Sequence, residues 1–255
     1  MERKKFIGLA LAYLLAFSSA TLASPTNSEL ANYQCAIYSS YVNGKVSDWE
    51  RLLPSMKQTY EQTKSDALLL EIARTHYGLV AFLINEEKED KAEGYLKEGL
   101  AEVEQLLNRN PSNAEALALK ASFTAFRIAI SPYMGPFIGP RSLEYIDDAM
   151  KIAGDNPYVL IDKANAKQFT PGIFGGDYDQ AVGFYKKSIA AFERMDPSAC
   201  RWVYLNALAN LGTCYEKMGQ YANAEATYRK ALAIAPNFDW VKNFLLPKMQ
   251  KEVGK

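Results

Sequence analysis

Residues 205–238 read LNALANLGTCYEKMGQYANAEATYRKALAIAPNF. Leu208, Leu211, Gly212 and Tyr215 mark one helix, and Gly219 marks a turn. Tyr221, Ala224, Tyr228 and Ala231 mark a second helix, which Pro236 closes. Ala224, Tyr228 and Ala231 are spaced four then three, which puts a small, a large and a small residue on one helical face. Two short helices with one apolar stripe each cannot bury that stripe alone. Such a unit must stack on similar units.

This stretch resembles a tetratricopeptide repeat (TPR), whose period is about 34 residues. The resemblance implies an all-α, right-handed superhelical array of antiparallel helical pairs with a capping helix. The same face recurs upstream at Ala181, Tyr185 and Ser188, at Ser142, Ile146 and Ala149, and at Ala92, Leu96 and Gly99. A weaker copy is Trp49, Leu53 and Met56. Leu160 with Ala164, Leu117 with Ala121, and Tyr77 with Gly78 repeat first-helix positions. The reading is five pairs, at 29–63, 66–109, 112–154, 157–196 and 198–236, within a repeat domain of residues 29–253. Capping boxes are expected at Ser47–Glu50 and Ser112–Glu115. Pro54 is expected to bend the first pair. A final helix, 239–253, carries Trp240, Val241, Phe244 and Leu245 and is expected to cap the array, with Pro247 kinking or shortening it. Tyr178, Tyr185, Tyr215, Tyr221 and Tyr228 fall at repeat packing positions.

Arg3, Lys4 and Lys5, the apolar run Phe6 to Phe17, and Thr21 and Ala23 have the form of a signal peptide, residues 1–23. The run is short for a membrane span, which takes about 20 residues. The expectation is an exported protein, periplasmic or secreted, without a transmembrane span after processing. Formal net charge is zero, so no global field favours nucleic acid. Cys200 and Cys214 are expected on one helix, about 20 Å apart and beyond bonding reach. They read as buried apolar thiols in a fold that does not depend on bridges, and Cys35 is left unassigned.

The intervals between repeat faces exceed 34 residues because of two inserts, Ser131–Pro140 and Phe169–Gly176. Both lie between the helices of a pair and therefore on one edge of a stack. The runs NPYVLIDKANAKQFTPGIFGGDYDQA and ISPYMGPFIGP also resemble a group of small exported TPR proteins of Bacteroidetes-type bacteria. That likeness covers roughly residues 112–246. It implies an envelope location and an interaction role, without a substrate.

Catalytic patterns are missing. His76 is the single histidine, and no nucleophile with an orienting acid accompanies it. The three cysteines lack metal-ligand spacing, and Gly135–Gly139 is not a phosphate loop. The run Glu86–Lys91 reads as a solvated helix start. No enzyme activity, metal or cofactor is expected. By TPR register, Tyr158, Asp162, Asn165, Asn206, Asn210, Thr213 and Lys217 would line a concave groove suited to a protein or peptide partner, because Asn offers both a donor and an acceptor. Ala118 and Ala209 stand where the family's carboxylate clamp would want lysine, so C-terminal peptide capture is not expected. Tyr133, Phe137, Phe169 and Phe174 in the inserts either fold back onto their repeats or form a binding rim. In the second case they could form the mouth of a site for a small apolar ligand. The leading function is a non-catalytic, protein- or peptide-binding scaffold of the cell envelope. The alternative is a periplasmic carrier of a small apolar ligand, possibly linked to a transporter.

Overall fold

The computed structural model describes residues 27–196 and 199–253. The expected leader lies outside them. The described residues form eleven α-helices, without a strand. They run in pairs: α1 (Asn27–Val42) with α2 (Trp49–Thr63), α3 (Asp66–Asn85) with α4 (Glu89–Arg109), and α5 (Ala114–Ile130) with α6 (Gly135–Ala153). Then come α7 (Pro157–Phe169) with α8 (Tyr178–Glu193), and α9 (Trp202–Lys217) with α10 (Tyr221–Ile234). The last helix, α11 (Leu246–Val253), follows a π-helical segment, Trp240–Leu245. The two are continuous, and Pro247, which has no N–H to donate, lies where the π-helical segment passes into α11.

The apolar faces read from the repeats are the core. Trp49, Leu53, Met56, Ala92, Leu96, Ile146, Ala149, Ala181, Tyr185, Ala224, Tyr228 and Ala231 are all buried. Small residues admit large ones. A Cβ on Gly212 would lie 2.2 Å from the Tyr228 ring, and one on Gly78 would lie 2.2 Å from the Trp49 ring. Helix α3 is long and apolar enough to span a membrane by length and composition, but most of it is buried among the other helices.

The stack does not stay open. Helix α1 packs against α3 and also against α9, so the first helices of the pairs close into a ring. The Tyr41 ring centroid is 5.3 Å from that of Trp202 and 5.1 Å from that of Phe238. Trp49 lies 5.0 Å from Trp202. Gly44, at φ +67°, turns its backbone against Asp239 just before the last helical segment. Phe238 and Val241 are fully buried, so the last segment does cover apolar surface, while Phe244 points outward.

A disulfide between Cys35 and Cys200 locks this closure across 165 residues of chain. It corrects the expectation of unbridged thiols. Cys200 is not on a helix with Cys214; it stands just before α9 starts at Trp202, where the returning α1 meets it. Only Cys214 is the expected buried thiol, and burial pushes it up to about 12.

Several local expectations also shift. Asp48 precedes α2 without a side-chain cap, because Val46–Asp48 forms a 3-10 turn instead of a capping box. Asn113, not Ser112, caps α5, accepting from the Ala116 amide, which frees Glu115 for another use. Much of the first insert is helical: α6 begins at Gly135 and contains Pro140. Tyr178 and Tyr221 open α8 and α10 and are exposed, whereas Tyr185, Tyr215 and Tyr228 are buried as expected.

Candidate functional site: a sealed interior and an aromatic edge

The expected groove residues converge inside the ring. Asp162 and Asn165 on α7 and Asn210 on α9 are buried. The Asn165 amide donates to the Tyr77 hydroxyl at 2.9 Å, and the Tyr185 hydroxyl donates to the Asn165 carbonyl oxygen at 2.6 Å. Asn210 donates to Asn165 at 3.3 Å and to Asn206 at 3.2 Å, and Asn206 donates to Tyr41 at 3.0 Å. Gln168 donates to Thr213 at 2.9 Å. These amides pair with one another and with buried tyrosines, which is how polar groups survive in a core. Tyr158 is half-buried, with Arg74 lying 4.1 Å over its ring. Lys217, at the end of α9, is exposed and outside the network.

Beside this spine lies a buried charge cluster that sequence reasoning missed. Arg74 pairs with Glu71 at 3.0 Å and with Glu115, which also accepts from Asn156 at 2.8 Å. The sequence signal was available: Glu71 and Arg74 interrupt the apolar run of α3 at i, i+3 spacing. Burial raises the Asp162 carboxyl to about 7, against opposing pulls from the Ser122 hydroxyl bond and from Arg74. The space between these groups is about 10 Å³, room for about one water. His76 is also interior, with Nδ1 2.6 Å from Glu102.

The inserts behave oppositely. Tyr133 is 76% exposed, Phe137 80%, Phe169 67% and Phe174 59%. Ile173, which sequence reasoning did not single out, is 87% exposed. These side chains occupy the α5–α6 and α7–α8 connections, neighbouring positions on one edge. Their backbones are held firmly. A Cβ on Gly135 or Gly139 would meet Ile128 of α5 at 3.5 and 3.8 Å. In the second insert, Pro171 and Lys167 carbonyls accept from Gly176 and Asp177 amides at 3.2 and 2.8 Å. Gly175, at φ +95°, supplies the left-handed turn that ends the Gly172–Phe174 helical turn. Asp177 then caps α8 through the Gln180 amide at 2.9 Å. The apolar side chains are thus presented on an ordered frame, not folded back.

A second outer feature is an open cleft of about 350 Å³ between α8 and α10, floored by Leu208, Leu211 and Tyr215 of α9 and flanked by Lys186 and Lys230. Among the described residues, no group of three or more His, Cys, Asp or Glu side chains is placed to hold a metal.

Paired helices, small-to-large packing and the 34-residue unit at 205–238 have the architecture of a TPR solenoid. The sequence profile of the Tetratricopeptide repeat family matches residues 205–238. A thermophilic TPR protein of Thermus thermophilus, TTC0263, is similar over 88% of this chain and 100% of its own, at TM-score 0.57 and 17% identity. The HusA haemophore of Porphyromonas gingivalis is similar over 76% of this chain and 94% of its own, at TM-score 0.55 and 19% identity. No curated protein sequence matches the chain. At these identities the structures share the fold, and TPR proteins are generally non-catalytic scaffolds for protein interaction.

Proposed function

We propose that the chain is a non-catalytic binding scaffold, exported to the bacterial envelope, whose contact surfaces lie on its outside and not in the concave groove. One observation carries this reading: the groove amides Asn165 and Asn210 are buried and, with half-buried Asn206, bonded to one another, while five large apolar side chains stand exposed on the two inserts. Large apolar side chains left exposed on hydrogen-bonded turns mark contact sites in soluble proteins. The cleft over α9, at about 350 Å³ with an apolar floor, is the second such surface.

A second reading, carriage of a small apolar ligand, is favoured by the similarity to a haemophore together with the aromatic inserts. The space beside Asp162 holds about one water, so such a ligand would lie on the outside, in the cleft over α9 or across the aromatic edge. Native mass measurement on protein purified gently from its own envelope separates the two. A stoichiometric polypeptide supports the scaffold. An added mass of a few hundred daltons that leaves on unfolding supports the carrier. Protein carrying neither, in an envelope that expresses it, counts against both.

A further inference from the structure

We infer that α1 is a releasable strap: a dithiol that reduces the Cys35–Cys200 bond frees it, and the face it leaves on α3 and α9 then accepts an amphipathic helix of α1's own pattern. The inference goes beyond the reading above, which concerns the closed ring, and does not depend on it.

The first argument is how α1 is held. Among its described side chains, those buried are Ile37, Tyr41 and Val42, all in its second half, whereas α3 buries twelve residues. Segments with few buried apolar contacts open first. Its polar ties are single bonds. The Tyr33 hydroxyl meets that of Thr59 at 2.9 Å, and Gln34 donates to Glu71 at 3.1 Å. The Ile37 carbonyl accepts from the Trp49 indole at 3.0 Å, and the Tyr41 hydroxyl accepts from Asn206 at 3.0 Å. The covalent tie is the bridge. Cys35 is exposed and Cys200 half-buried, so a thiol can reach it, and exposed disulfides are the labile ones. Residues 43–45, which join α1 to the turn before α2, are exposed and give the strap a pivot.

The second argument is what α1 covers. Gln34, Ile37 and Tyr41 are spaced three then four, so they share one helical face. Gln34 meets Glu71 on α3, and the Tyr41 ring meets Trp202 on α9. The Trp202 indole N–H is buried without an acceptor among the described residues. An unpaired buried donor is costly, and lifting α1 from this ring lets in water or a new acceptor. Glu71 and Glu115 share the single guanidinium of Arg74, so the face favours a donor or a basic side chain where α1 has Gln34. The occupant is therefore a helix with an amide or basic residue, an aliphatic residue three positions on, and an aromatic four beyond that.

In the reduction, one thiolate of the dithiol attacks a bridge sulfur to form a mixed disulfide, and its second thiol resolves that bond. Two electrons and two protons pass to Cys35 and Cys200, which become thiols, and the dithiol becomes a disulfide.

The test is hydrogen exchange, read segment by segment on the oxidised protein and on protein reduced with dithiothreitol. The α1 amides are expected to exchange about a hundredfold faster after reduction, with α3 to α8 unchanged. Unchanged protection of α1 overturns the inference. So does loss spread evenly through α3 to α8, which makes the bond a staple of the whole fold. Binding is then measured with a labelled peptide of residues 27–43 carrying Cys35→Ser, on Tyr41→Ala protein, whose own strap competes poorly. The reduced form should bind it at least about tenfold more tightly than the oxidised form, and Tyr41→Ala in the peptide should abolish the difference. Gln34→Lys in the peptide should tighten binding about fivefold. Equal or absent binding to both forms overturns the inference. Should Tyr41→Ala protein fail to fold, Cys35→Ser protein compared with the oxidised parent gives the same two readings.

Discussion

Inside the ring, Tyr41, Trp49, Tyr77 and Trp202 are joined by ring contacts at 5.0 to 6.3 Å, and the groove amides find partners. On the edge, residues of the same kinds touch little. Both regions are rich in aromatics; they differ in whether the chain returns to cover them. Helix α1 returns across the first, held by the Cys35–Cys200 bond, and nothing in the described residues returns across the second. Aromatic content by itself does not distinguish a core from a contact face. Chain closure does.

That contrast can be broken from the inside. Cys35→Ser removes a cross-link over 165 residues, for which chain entropy alone gives a loss of about 5 kcal/mol. Urea unfolding would show it, and an unchanged midpoint would mean that packing alone closes the ring. Asp162 gives the next effect. Its folded-state pKa is raised, so the folded protein keeps a proton that the unfolded chain releases near pH 4. Stability should therefore fall as pH rises from about 4 to about 7 and stay level above that. Asp162→Asn should flatten this fall and add on the order of 3 kcal/mol at pH 8. A pH profile identical to the parent's would mean that the carboxylate is solvated.

Smaller effects sharpen the comparison. Asn206→Ala with Asn210→Ala leaves the buried Tyr41 hydroxyl without its partner and removes one of the bonds to Asn165, and should destabilise the fold by about 2 kcal/mol in thermal or urea melts. A freely accessible groove would instead tolerate the pair with little change. Phe137→Ser and Phe174→Ser should move stability least, within about 0.5 kcal/mol, as exposed positions do. A loss above about 2 kcal/mol would show that the inserts pack.

Local signals carried most of the fold. Spacings such as Ala181, Tyr185 and Ser188 identify buried faces because a helix converts sequence distance directly into direction. The inserts could be placed on one edge for the same reason. The Cys35–Cys200 bond and the sealed groove could not be read this way. They depend on how strongly the stack curves, which is the sum of small rotations between pairs, and no short window encodes that sum. Register groups Asn165, Asn206 and Asn210, and the structure brings these three together. Register could not show that α1 would lie against them. Asn113 displaced Ser112 as the α5 cap because two adjacent residues could each accept from the helix, and a one-residue shift is below what spacing resolves.

The joined ends change what kind of object this repeat protein is. An open stack is modular: a terminal unit can be duplicated or trimmed for the loss of one interface. Here Tyr41 finishes its surroundings with Trp202 and Phe238, residues far later in the chain. The first hairpin must wait, incomplete, until those helices are made, and loop closure on that scale slows folding. Removing the pair of α1 and α2 would uncover α9, and removing the pair of α9 and α10 would uncover α1.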